Sequence, residues 1–212
     1  MIDEREVKLY FERYRIMVAE KRQGRPARFD REMVLDKATE LFAQHGYGGT
    51  SLSELVRAIG CTPPSLYNYF PSKGELYLAV IDRYWARVDP AVPVEGRAWT
   101  LLEGYLMSSL AGFTTGISPR GCLVLTGGFR ESVEDQSLKE AVQKIRQGAL
   151  DRLTALVVRV KDEGDLPSDL DAPAWARGLF ALLQGFALQS IDGATLDELR
   201  GGLNCFLSSF RP

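Results

Sequence analysis

Histidine is almost missing from this 212-residue chain, where His45 stands alone. Catalytic triads and His-based metal centres both need an imidazole with partners, so a lone histidine nearly excludes both. Cysteine is scarce as well. Cys61, Cys122 and Cys205 lie far apart with no C-x-x-C pair, which argues against a disulfide framework and a structural zinc site. No apolar run approaches the roughly 20 residues that span a bilayer. The opening Met1-Ile2-Asp3-Glu4 begins no secretory leader with an apolar core. These absences predict a cytoplasmic protein with no membrane association, no cofactor and no enzyme chemistry.

What is present is ordinary in amount and telling in arrangement. The chain is 45% hydrophobic and 25% charged, as a soluble globular protein should be. Its net charge of −2 does not suggest a polyanion binder, but the charges are unevenly spread. Residues 21–89 hold ten basic against eight acidic side chains, and residues 90–212 hold twelve against fifteen. Between Glu20 and Arg31 the basic Lys21, Arg22, Arg25, Arg28 and Arg31 meet only Glu20 and Asp30. A local basic arm on an acidic protein fits a small end that touches nucleic acid.

Period-two alternation is absent throughout, and nearly every segment reads as helix. Asp30 can cap a helix carrying Val34, Ala38, Leu41 and Phe42, which Gly46 would end. Ser51-Leu52-Ser53-Glu54 is a capping box that opens a short helix with Leu55, Val56 and Ile59, stopped by Gly60. Thr62 then caps a third helix with Pro63 at its first position, running to Tyr69 before Pro71. Ser72-Lys73-Gly74-Glu75 forms a second capping box for a helix with Leu76, Ala79, Val80 and Tyr84, which fades into a linker at 90–93. Further helices are expected over 99–113, 121–130, 135–163, around Trp175 to Phe186, and over 199–210. The fold class is therefore all-α. Residues 1–24 form an N-terminal extension and basic arm, 25–89 a three-helix helix-turn-helix domain, and 90–212 a helical bundle.

Two very short helices across a glycine turn make a helix-turn-helix over 51–69. A helix as short as the third cannot stand alone, since isolated helices need roughly 12–15 residues. Its neighbours must hold it, which leaves its outer face free for a groove. That face carries Thr62, Ser65, Tyr67, Asn68 and Tyr69, whose hydroxyls and amide suit phosphate oxygens and base edges. Leu66 and Phe70 fall on the inward side and are assigned to the core. Lys73 opposes the dipole of the helix it begins, which points to a phosphate partner.

These residues carry a resemblance. Gly46-Tyr47, Thr50-Ser51-Leu52 and Gly60, followed by Ser65-Leu66-Tyr67-Asn68-Tyr69-Phe70-Pro71-Ser72-Lys73-Gly74-Glu75-Leu76, resemble the DNA-binding domain of the TetR family. The resemblance implies that Thr62, Pro63, Pro64 and Ser65 approach base edges. It also implies that Tyr67, Tyr69 and Lys73, with Thr50, Ser51 and Ser53, hold phosphates. Arg25 and Arg28 of the arm could enter the minor groove. Pro63-Pro64 departs from the polar or glycine residues often found there, which reduces hydrogen-bond readout and leaves contact with thymine methyl groups as the substitute. The segment 1–20 could pack one face through Val7, Tyr10, Phe11, Tyr14 and Val18, or be an upstream artefact of a start at Met17.

More loosely, 119–124, 164–171 and 182–186 resemble the regulatory half of the same family. This implies a homodimer on double-stranded, palindromic operator DNA, acting as a repressor released by a small-molecule effector of unknown identity. Leu153, Leu156, Trp175, Leu179, Leu182, Leu183 and Phe186 are the expected dimer residues, although the same stripes could face their own core. Trp99, Tyr105, Met107, Phe113, Cys122, Phe129, Trp175 and Phe180 are the expected pocket walls. Cys122, near Arg120, could instead be an electrophile-sensing thiol, or an inert buried one. Two alternatives remain beside the repressor. A helical enzyme would need a convergent acid–base set, and no spacing here supplies one. A helical dimer acting mainly through protein partners would use the N-terminal extension as its contact.

Overall fold

The computed structural model describes residues 30–88, 95–115, 121–126 and 136–210. Among these residues all regular structure is helical and no strand occurs. The helices are α1 (Arg31–Gly49), α2 (Leu52–Ile59), α3 (Pro63–Tyr67), α4 (Lys73–Val88), α5 (Ala98–Thr115), α6 (Leu123–Thr126), α7 (Gln136–Asp162), α8 (Ala172–Ile191) and α9 (Leu196–Ser208). None of the described helices is long and apolar enough to cross a membrane. The N-terminal segment, the Arg25 and Arg28 arm, the 90–93 linker, Arg120 and Phe129 lie outside the described residues.

The helix ends follow the local chemistry. Asp30 caps α1 by accepting from the Glu32 amide at 3.1 Å. Gly46 interrupts α1 with φ 72°, where the ordered turns of the helix give out. The Ser51 box is complete: its hydroxyl accepts from the Glu54 amide at 3.2 Å, and its own amide donates to the Glu54 carboxylate at 2.7 Å. That pairing with Ser51 holds the Glu54 carboxyl below its usual range. Gly60 closes α2 at φ 74°, a left-handed position that costs glycine nothing and that a side chain resists. Ser72 accepts from the Glu75 amide at 3.1 Å at the start of α4. Thr195 and Glu198 make a further complete box, so α9 begins at Leu196 rather than at Leu199. The sequence pattern shows only where apolar spacing starts, whereas the cap adds a polar turn ahead of it.

α1, α2 and α3 close a small core around Phe42, Leu55, Leu66 and Phe70, all buried. Burying such a side chain contributes about 1.5–3 kcal/mol. α4 packs on α1 along one side and on α6 and α7 along the other. Ion pairs Arg83–Glu32 (2.9 Å) and Arg83–Asp36 (2.7 Å) fasten α4 to α1. In the second half, α5, α7 and α8 pack together, with α9 against α5 and α8. The first amide of α5, that of Ala98, donates to the Glu163 carboxylate at 2.7 Å, placing an anion at the positive end of the helix. Asp165 pairs with Arg97 beside it, and that guanidinium holds the Asp165 carboxyl below its usual range.

Candidate nucleic-acid interface and internal cavity

α2 and α3 are joined by Gly60, Cys61 and Thr62, and α3 rests on the core through Leu66 alone among its five residues. Its remaining surface is turned outward. Thr62, Pro63, Pro64 and Asn68 are exposed, Tyr67 is 43% exposed, and Ser65 and Tyr69 are half-buried. Thr62 occupies the cap position without capping. Its hydroxyl bonds that of Ser65 at 3.0 Å instead, and two consecutive prolines leave the first turn of α3 without its usual amide donors. The outer face of α3 thus presents two pyrrolidine rings, a linked hydroxyl pair, a phenol and a carboxamide. Ser51 and Ser53 are exposed on the neighbouring start of α2. Phe70 is buried, with the Arg31 guanidinium 5.7 Å from its ring centre.

Two residues expected at phosphates are engaged elsewhere. Thr50 is fully buried, and its hydroxyl donates to the Gly46 carbonyl at 2.7 Å, so it closes the end of α1. Lys73 Nζ donates to the carbonyls of Tyr47 (2.8 Å) and Thr50 (3.0 Å) and sits 4.1 Å from the Tyr47 ring centre. Its position against the helix dipole is compensated inside the protein, by the carbonyls left over where α1 ends. Tyr47 in turn lies against Tyr77, with ring centres 5.1 Å apart. The α1–α2 corner is therefore fixed to α4 from below, while α3 remains open above.

A cavity of about 30 Å³ lies between the two halves. Tyr105, Phe113, Cys122 and Phe180 line it as expected from the sequence, but Trp99, Met107 and Trp175 do not. Trp99 is buried near the start of α5, and Trp175 packs against Phe206 of α9 and Phe210 just beyond it, at 6.1 and 5.2 Å. Sequence reasoning missed Tyr84, Trp85 and Val88, which the last turns of α4 contribute, together with Ser109, Gly112 and Leu183. Burial pushes the Tyr84 phenol up, and the adjoining Cys122 thiol adds to that, against a hydrogen bond from the Leu123 backbone. Gly121 precedes the cysteine with φ 109°, and its amide donates to the Phe113 carbonyl at 2.9 Å.

The expected dimer residues also need correction. Leu153, Leu156, Trp175, Leu179, Leu183 and Phe186 are buried inside the protomer, and Leu182 alone is half-exposed. Both helices are apolar over so much of their circumference that spacing could not separate an inner from an outer stripe. Their exposed large apolar side chains are Val158, Leu188 and Ile191.

An open short helix carried on a capped helix-turn-helix, joined to a helical bundle, defines a DNA-binding transcription regulator of the all-helical kind. Residues 34–80 match the family model for bacterial regulatory proteins of the tetR family. Residues 99–193 match the tetracyclin repressor-like C-terminal domain. The transcriptional repressor ComR of Escherichia coli is 33% identical over 84% of this chain and 88% of its own length. A cysteine-substituted form of the regulator CifR, complexed with 26-base-pair operator DNA, superposes with a TM-score of 0.78 at 27% identity. It covers 88% of this chain and all of its own. The reduced form of E. coli NemR shares the fold, with a TM-score of 0.70 at 24% identity over 86% of this chain and 97% of its own. The chain belongs to the TetR family of DNA-binding transcription regulators.

Proposed function

We propose that the protein is a homodimeric repressor that binds a palindromic operator through α3 and is released when a small molecule fills the internal cavity. The observation that carries this reading is the double use of α4. Its first residue anchors the corner beneath the reading head, through Lys73 on Tyr47 and Thr50, and its last turns wall the cavity through Tyr84, Trp85 and Val88. A ligand that favours one placement of α4 changes DNA affinity, and DNA changes ligand affinity by the same factor. In this reading 25–89 reads DNA, with Thr62, Pro63, Pro64 and Ser65 at base edges and Ser51, Ser53, Tyr67 and Tyr69 at phosphates. Residues 90–212 then sense and dimerise. A short reading helix needs a second copy about one DNA turn away, and the exposed Val158, Leu188 and Ile191 on α7 and α8 are the apolar positions available for that contact.

The test is fluorescence anisotropy with DNA from the promoter upstream of the protein's own gene, against scrambled DNA, at two salt concentrations. Tight, sequence-dependent and salt-sensitive binding by a dimer is the expected result. Equal affinity for both duplexes would overturn the reading.

A second reading has one observation behind it: the Cys122 thiol is buried on the cavity wall beside the Tyr84 hydroxyl. An electrophile entering the cavity would meet that thiol directly. Release of DNA by quinones or aldehydes should then disappear in Cys122→Ser, and persistence of release removes this reading.

A further inference from the structure

We propose that the effector is an uncharged, predominantly apolar molecule, and that the cavity must widen to admit it. This rests on the reading of the cavity as the effector site. Among the described residues, none of the side chains lining it is Asp, Glu, Lys, Arg or His. Two of the polar groups on the wall are engaged within the protein. Ser109 donates to the Tyr105 carbonyl at 2.9 Å, and the Tyr84 oxygen takes the Leu123 amide and meets the Cys122 thiol. A charged ligand would lose its hydration and find no counter-charge, a cost that an apolar ligand does not meet. Aromatic rings from α4, α5 and α8 supply the opposite surface, suited to a flat or aliphatic neutral body.

Size adds a second constraint. About 30 Å³ is room for little more than water, whereas a benzene-sized molecule needs on the order of 150 Å³. Any such ligand must part the walls. The parting surfaces are the end of α4 on one side and α5, α6, α7 and α8 on the other. Occupancy by such a ligand therefore requires that one of these surfaces shift. Gly112 offers a way to imitate the ligand: it lines the cavity, and a Cβ built there would meet no atom within 4 Å. A leucine side chain rooted at this position would grow into the space the ligand needs.

Toluene, benzoate and benzylammonium share one ring and nearly one volume but carry charges of zero, minus one and plus one. The full-length protein, without DNA, is titrated with each while its melting temperature and tryptophan fluorescence are followed. Toluene should raise the melting temperature and perturb the fluorescence, with benzoate and benzylammonium at least tenfold weaker. Gly112→Leu should abolish the toluene response and release promoter DNA without any ligand. Gly112→Ala, a single methyl group, should fold normally and weaken toluene several-fold, which decides the matter if the leucine variant fails to fold. Equal or tighter binding of either ion, no response to toluene up to its solubility, or toluene binding unchanged in both variants would each overturn the proposal. DNA binding measured on the same samples separates the two readings. A protein that takes up toluene but no DNA removes the repressor and leaves the neutral site standing. One that binds DNA and is released only by a charged probe removes the neutral site alone.

Discussion

Lys73 lies with its ammonium 4.1 Å from the ring centre of Tyr47 and donates to that residue's carbonyl at 2.8 Å. The first residue of α4 thereby serves as a clasp on the end of α1, 26 positions earlier in the chain.

Removing the clasp should cost stability as well as DNA affinity. Lys73→Met deletes two charge-assisted hydrogen bonds and a cation–π contact at a half-buried site, a loss of about 2 kcal/mol. The melting temperature should fall by about 4–8 °C, and binding to operator and scrambled DNA should weaken alike. A melting temperature equal to wild type would mean that the carbonyl contacts contribute nothing.

Thr50→Val tests the same corner from inside. The substitution keeps the shape of a fully buried side chain and removes its bond to the Gly46 carbonyl, for about 1–2 kcal/mol. Operator affinity of the folded protein should stay within a factor of about two. A large loss of affinity with no loss of stability would return Thr50 to the DNA surface.

The exposed proline pair should behave differently from the phenol beside it. Pro63→Ala and Pro64→Ala should change which operator variants bind best while leaving the salt dependence unaltered. Tyr67→Phe removes a hydroxyl without altering the ring, and should weaken all duplexes by a similar factor. Identical profiles for the two classes across an operator panel would mean that α3 is not the reading helix.

Gly121 is held where a side chain has no room. A Cβ there would stand 2.7 Å from Ile191 Cγ1 on a backbone with φ 109°, so Gly121→Ala should destabilise the bundle. Ile191→Ala in the same chain should recover the part due to collision and not the part due to the backbone. Strict additivity of the two changes would show that the residues do not touch in solution.

The Ser51–Glu54 box has a pH signature. The hydrogen bonds from Ser51 depress the folded-state pKa of Glu54, so their stabilisation is present above the unfolded carboxyl pKa. It is lost as the pH falls through the lower, folded value. The gap in melting temperature between wild type and Glu54→Ala should be widest near neutrality and narrow in acid. A gap independent of pH would mean that the glutamate does not take part.

The capped helices were legible in the sequence because each cap is a local event, written in three or four consecutive residues such as Ser51 to Glu54. The outward face of α3 was legible for the same reason: five residues with one inward leucine leave little freedom. Thr50 and Lys73 were not, since a hydroxyl or ammonium beside a helix end occupies the same sequence position whether it faces solvent or folds back on a spent carbonyl. The cavity was only half legible. Tyr105, Phe113, Cys122 and Phe180 carry aromatic or thiol character in the second half, but Tyr84, Trp85 and Val88 belong by spacing to the helix-turn-helix. Their partners lie 17 to 99 residues away, and only tertiary packing brings them together.

The 16 residues of α4 make a rod of about 24 Å, with one end under the reading head and the other in the chamber. Inheritance follows from that geometry. If the protein acts as proposed, a substitution that retunes the chamber for a new compound reaches the reading head through the same rod, and one that sharpens operator choice is felt in the chamber. Neither trait can drift freely. If the cavity is the effector site, new inducer ranges should arise first from the walls that α5 and α8 provide, through Ser109, Phe180 and Leu183, because those can vary while the rod keeps its seat.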